Sequence, residues 1–161
     1  MTGAVIGALL ALVVVLAALG LEGLIPSTPP AAIPWIAGLP VALRVLVSLS
    51  AGVVEEAFFR GLLQPRAGVF FSSLCFVLAH LSYQQPFLLV GVTILSLSYA
   101  GLVVWRRSVW AAATAHFVFD TVQLLVLIPA ALGALPKGSD GTVPETASAF
   151  VHWLLALSGV C

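Results

Sequence analysis

The sequence predicts an all-α protein, a polytopic bundle of about six membrane-spanning helices with a polar cavity inside the membrane. Three observations lead there. Of the 161 residues, 61% are hydrophobic and 7% charged, where an ordinary soluble domain carries about 25% charged residues; mean hydropathy is +1.19. The apolar residues fall into runs near the ~20 residues that a bilayer core requires, separated by breaks rich in proline, glycine and polar residues. A few ionisable side chains lie within those runs, where each costs about 2.5–3.5 kcal/mol on insertion scales and ordinarily faces a bundle interior or a wet cavity. One domain over residues 1–161 is expected, with the polar-bearing core at about 41–129. The formal net charge is zero, so nothing points to nucleic acid. Cys75 and Cys161 have no motif spacing, which argues against a disulfide framework or a zinc–cysteine site.

The first run, about Thr2 to Leu24, has no basic leader and no small-residue cleavage site, and reads as a retained helix with Glu22 at its interfacial end. Pro26, Pro29, Pro30, Pro34 and Pro40 make the next stretch a loop, with a short dipping segment around Trp35 and Ile36. The second helix, about Val41 to Leu63, begins near Arg44, expected to snorkel to the headgroups. It carries Val53-Val54-Glu55-Glu56-Ala57-Phe58-Phe59-Arg60-Gly61, and Pro65 and Gly68 mark the turn after it. The third helix, about Val69 to Ser82, contains His80 and ends before Gln84-Gln85-Pro86. The fourth, about Phe87 to Trp105, has no charge, and Gly91, Ser96, Ser98 and Gly101 suit close helix packing. Arg106-Arg107 closes it. The fifth, about Ser108 to Ile128, carries His116 and Asp120. A polar loop covers 129–146, and a last apolar stretch, about Thr146 to Val160, is either a sixth span or an interfacial helix. With six spans, Arg66 and Arg106-Arg107 share a side with both termini, against Arg44 and Lys137, a bias toward cytoplasmic termini of a multi-pass protein of the cell membrane.

Helix geometry divides the two glutamates. Glu56 and Arg60 are four apart, so they stack on one face and can pair. Glu55 is turned about 100° from Glu56 at 3.6 residues per turn. Arg60 then neutralises and orients Glu56, and Glu55 is left for chemistry. Adjacent carboxylates titrate as a coupled pair, an arrangement from which a general base can be tuned. The blander alternative is a structural ion cluster or a proton relay. His80 lies four residues after Phe76 on one face, where a lone histidine ordinarily serves as a core hydrogen-bonding residue. His116 and Asp120, also four apart, can point together into a cavity as a ligand or proton-handling pair, or simply bond each other. Trp110 reads as an interfacial or packing aromatic, and His152 beside Trp153 as interfacial. Glu55, Glu56, Arg60, His80, His116 and Asp120 fall on only three helices, a poor match to independent accidents.

Three motifs in order carry a family resemblance: Glu55-Glu56-x-x-x-Arg60, then Phe76-x-x-x-His80, then His116-x-x-x-Asp120 preceded by Ser108-Val109-Trp110-Ala111-Ala112. They resemble the motifs of the CAAX-protease and bacteriocin-processing family of intramembrane endopeptidases, which includes the Rce1-like prenyl-protein proteases. The resemblance implies a helix bundle around a water-filled catalytic cavity. It also implies hydrolysis of a peptide bond near the C-terminus of a membrane-associated substrate, of CAAX type or a bacterial C-terminal sorting tail as in myxosortase-like members. Glu55 with His80 would activate the attacking water, and His116 with Asp120 would hold the carbonyl or stabilise the oxyanion. Glu56 and Arg60 would support the site, and Arg60 could also meet a substrate carboxylate. Position 120 is Asp, where prenyl-protein members have Asn; a carboxylate there would oppose an oxyanion unless it is protonated or serves to orient His116. No cofactor is expected. Zinc on His80, His116 and Glu55 or Asp120 is the alternative, although no His-Glu-x-x-His sequence is present. The implied partners are a protein or peptide entering from the membrane and the lipid bilayer itself. The same buried groups would also serve a proton-coupled transporter or channel, or a non-catalytic immunity or binding protein on this scaffold.

Overall fold

A computed structural model of the chain describes residues 1–20, 32–83 and 86–129. The polar loop expected at 129–146 therefore lies almost entirely outside the described residues, and the last apolar stretch, Glu22, His152 and Trp153 lie wholly outside them. The described residues are helical. Helix α1 covers Thr2–Gly20, and the segment around Trp35 and Ile36 is a short helix, α2 (Ala32–Ala37). Helix α3 starts at Val41–Ser50 and continues through two π-helical segments, Ala51–Glu55 and Ala57–Leu63. Helix α4 follows as Gln64–Ala79, then a 3₁₀ turn at Leu81–Tyr83. Helix α5 is Pro86–Arg106, and α6 is Val109–Val122 with a π segment at Gln123–Leu127.

The turn expected at Pro65 and Gly68 occurs at Gly68 alone. Pro65 sits in the first turn of the renewed α-ladder, where its missing N–H leaves no bond unmade. Gly68 reverses the chain with φ 86° and ψ 166°, outside the range that residues with a Cβ adopt readily. The later part of α4 then packs back on the second π segment: Ser72 Oγ donates to the Phe59 carbonyl at 2.6 Å, and the Phe59 and Phe76 rings meet edge to face at 5.1 Å. A consequence is depth matching. Counted with the turn near Leu63, His80 would sit deeper in the membrane than Glu55. With the turn at Gly68, the two lie almost equally far from it along the chain and come level.

Inter-helix bonds give the remaining topology. Arg60 bonds Ser96 and Gln64 bonds the Ala100 carbonyl, a constant offset that makes α3 and α5 parallel neighbours. Helix α6 returns antiparallel to α3, from Val109 beside Gly61 to Leu124 beside Arg44. Arg44 was expected at the headgroups. Its NH1 instead donates to the Leu124 carbonyl at 3.0 Å, tying the start of α3 to the π segment of α6. Helix α1 lies parallel to α6 in close contact. A Cβ at Gly3 or Gly7 would overlap the carbonyl oxygen of Ala111 or Ala115, the small-residue packing typical of helices in lipid. Gly52 does the same for α3, since a Cβ there would lie 2.9 Å from the Ala113 carbonyl oxygen.

The bundle buries polar and charged side chains along with an apolar core, and exposes many large apolar ones. Its buried set includes Ser48, Glu56, Arg60, Gln64, Ser72, Ser73, Ser96 and His116, while Leu46, Val54, Phe58, Phe70, Ile94, Val104 and Trp110 face outward. That distribution suits a lipid solvent. Among the described residues, two stretches are long and apolar enough to cross a membrane, Leu88–Arg106 and Val109–Leu127. The six-span count is thus not reached here. The motif-bearing helix carries Arg44, Glu55, Glu56 and Arg60.

The α1–α6 contact gives a test. Gly7→Val should force α1 off α6 at an overpacking cost of about 1–3 kcal/mol, read as a lower thermal midpoint in detergent. An unchanged midpoint would mean that α1 does not dock there.

Candidate active site

The two glutamates sit at the junction of the π segments. Glu55 ends the first and Glu56 precedes the second, a helix defect of the kind that recurs at functional sites. Glu56 points into the bundle and is 0% exposed. Its Oε1 lies 3.0 Å from Arg60 NH1 and 3.0 Å from His116 Nδ1. Arg60 is 1% exposed. Its NH2 donates to both the carbonyl and the hydroxyl of Ser96, each at 3.0 Å, and its guanidinium lies 4.3 Å from the Phe76 ring centre, a cation–π contact. Both terminal nitrogens of Arg60 are thus engaged inside the bundle.

His116 is held at both ring nitrogens. Nδ1 meets Glu56, and Nε2 lies 3.4 Å from Asp120 Oδ2. The pair expected from four-residue spacing is therefore a triad, with the buried Glu56 behind the ring and Asp120 in front. Tyr99 covers one face of the imidazole, its ring stacked 4.9 Å away at 21°.

Glu55 takes the other side of the helix. Its side chain is 33% exposed, and Oε2 lies 4.0 Å from His80 Nε2. Helix α4 ends at Ala79, so His80 is its C-cap and not a mid-helix residue as expected. The last carbonyls of a helix lack intrahelical partners. The His80 N–H bonds the Val77 carbonyl, and the His80 ring serves Phe76, with Nδ1 2.7 Å from the Phe76 carbonyl oxygen. A carbonyl only accepts, so Nδ1 donates to it and Nε2 is the nitrogen turned toward Glu55. A 4.0 Å separation is too long for a direct bond and suits a bridging water. Phe76 links the two halves: its ring stacks on His80 at 4.6 Å and meets His116 edge-on at 6.1 Å. The charges of His116, His80, Asp120 and Glu56 all bear on Glu55. Beside it opens a groove of about 280 Å³ lined by Val47, Ser50, Ala51, Val54 and Glu55.

All six side chains singled out in the sequence thus lie in one connected cluster. No group of three His, Cys, Asp or Glu side chains placed to hold a metal occurs among the described residues. Three further participants were passed over in the sequence. Ser96 anchors Arg60, Gln64 extends the buried polar stripe of α3 along α5, and Tyr99 backs His116. Their only local signal is polarity on α5 at Ser96 and Tyr99, one helical turn apart.

Comparison with known proteins follows the motif-bearing region. The family model described as "Type II CAAX prenyl endopeptidase Rce1-like" matches residues 37–122, more than half the chain. A Bacillus subtilis protein named "Uncharacterized protein YpbD" is 33% identical over 79 residues, which covers 48% of this chain and 42% of that protein. The chain therefore spans less than half the length of the curated relative it matches. No solved structure matches.

Arg60 offers a direct test of the buried cluster. Arg60→Met should destabilise by about 3–5 kcal/mol, because it strands a buried carboxylate. Adding Glu56→Gln to it should restore part of the loss, measured as thermal midpoints in detergent; a double variant no better than the single would show that Glu56 is not what Arg60 neutralises.

Proposed function

The chain belongs to the Rce1-like family of type II CAAX prenyl endopeptidases, a membrane-embedded family, and on that premise we propose that it is an intramembrane endopeptidase. Its substrate would be a membrane-associated protein, cut at a peptide bond near the C-terminus, of CAAX type or a C-terminal sorting tail. The observation that carries this reading is the Glu55–His80 pair. A carboxylate oxygen and an imidazole nitrogen lie 4.0 Å apart, so that one water can bond to both from the side.

In this mechanism Glu55 takes a proton from that water, and the hydroxyl oxygen attacks the scissile carbonyl carbon. His80, fixed by the Phe76 carbonyl, orients the water through Nε2. The carbonyl π pair moves onto oxygen, on the side where His116 lies. Glu56 holds His116 from behind, as a buried carboxylate holds a catalytic imidazole in other hydrolases. Asp120 holds Nε2 at rest and gives way to the developing oxyanion as substrate enters. The proton on Glu55 passes to the leaving amine nitrogen as the C–N bond breaks. Arg60 and Ser96 keep Glu56 in place and do not touch the substrate. The open groove beside Glu55, with outward-facing Val47 and Val54 on its walls, supports entry of an apolar chain from the lipid side. The setting we infer is a multi-pass protein of the cell membrane.

Glu55→Gln and His80→Ala should each reduce cleavage by at least about 100-fold, while the protein still accumulates in the membrane and keeps its thermal midpoint within a few degrees. Cleavage by either variant at the parental rate would sink the assignment. Elemental analysis of the purified protein, paired with cleavage in the presence of a chelator, should show activity that does not follow metal content; loss with chelator and recovery with zinc would replace the glutamate mechanism with a metal one.

A further inference from the structure

Tyr99 is the least expected group near the cluster. It lies on α5, the helix without charge, and is 0% exposed. Its ring stacks on His116, and the Arg60 guanidinium lies 5.8 Å from its centre. Its hydroxyl is buried and has no hydrogen-bond partner among the described residues. The stack on His116 and the nearby Arg60 guanidinium place this phenol beside the charged cluster and not in a remote part of the core. Phenylalanine would supply the same stack and packing without burying an unmatched O–H, which is ordinarily a net cost. A buried donor without a partner beside a candidate catalytic histidine is matched when something with an accepting oxygen arrives.

We propose that the Tyr99 O–H, with His116, donates to the oxyanion that forms on the carbonyl oxygen of the scissile bond. This rests on the endopeptidase reading. The water oxygen bonds to the carbonyl carbon, the π pair moves to the carbonyl oxygen, and that oxygen accepts the Tyr99 hydrogen bond. The phenol keeps its proton throughout, and Glu55 alone carries the proton from water to the leaving nitrogen. The role also addresses the Asp at position 120. A carboxylate near a developing oxyanion is unfavourable on its own, and a neutral donor from the neighbouring helix offsets it.

The test is Tyr99→Phe, which retains the ring and removes one oxygen. Cleavage of a prenylated CAAX peptide should fall about 100–1,000-fold, with the thermal midpoint not lowered. The independent readout is binding. A phosphinic analogue of that peptide, which mimics the tetrahedral intermediate, should bind the Tyr99→Phe protein at least about tenfold more weakly than the parent. The unmodified peptide should bind Glu55→Gln and the Glu55→Gln/Tyr99→Phe double variant equally. Equal affinity of parent and Tyr99→Phe for the analogue, or cleavage by Tyr99→Phe within about twofold of the parent, overturns the role of Tyr99. Weaker binding of the ordinary peptide to the double variant makes Tyr99 a structural wall of the site and overturns it as well. Cleavage retained by Glu55→Gln would instead refute the base assignment, and the analogue comparison would still decide Tyr99. Failure of the parent to bind the analogue at all would overturn both.

Discussion

The structure depends on one oxygen, Glu56 Oε1. A carboxylate with no solvent exposure, in a bundle whose outer surface is apolar, has to be neutralised where it stands. Arg60 and His116 both do so at 3.0 Å, and each brings a helix with it. Arg60 is tied to Ser96 on α5 and lies over Phe76 of α4; His116 comes from α6 and leads on to Asp120. Four helices are therefore registered on a single charge. Such a pair adds little net stability, since desolvation offsets much of the attraction, but removing one partner leaves an uncompensated charge. What the cluster provides is a defined arrangement of helices around a polar centre, in a solvent where apolar contacts alone discriminate poorly between packings.

Against that fixed centre, Glu55 has a different character although it is the next residue. It is partly exposed, borders an open groove and faces His80 across a water-sized gap. The two π segments meet between these residues, so the backbone ladder is re-registered where one glutamate must turn inward and its neighbour outward. Glu56 is buried and fixes His116, whereas Glu55 is partly exposed beside the groove, which is why the proposed chemistry is assigned to it. This division gives physical content to a pair of adjacent acids that composition alone makes look redundant.

Much of the site could be read locally. Glu56 with Arg60, Phe76 with His80, and His116 with Asp120 are four-residue spacings, and helix geometry places each pair on one face whatever the surroundings. The order of the three motifs was enough to indicate the family. Other features were not legible, for identifiable reasons. Pro65 looked like a helix end because proline ordinarily disrupts a ladder, yet the chain turns only at Gly68, which alone adopts the required positive φ. Arg44 looked like a headgroup anchor because its partner, the Leu124 carbonyl, lies 80 residues away. Ser96 looked like a packing residue and Tyr99 drew no notice, because their roles come from groups on other helices.

By itself the sequence determined an all-helical chain suited to lipid, the six ionisable residues that gather in the bundle and their pairing along each helix, because hydropathy and the helical repeat act over a few residues. Tertiary structure decided how the pairs combine. It joined Glu56 to His116 across helices, set His80 level with Glu55 by placing the turn at Gly68, and brought an unpaired phenol from α5 into the cluster. These outcomes depend on helix depth, rotation and close approach at glycines such as Gly52, and those are set by packing between segments far apart in the chain.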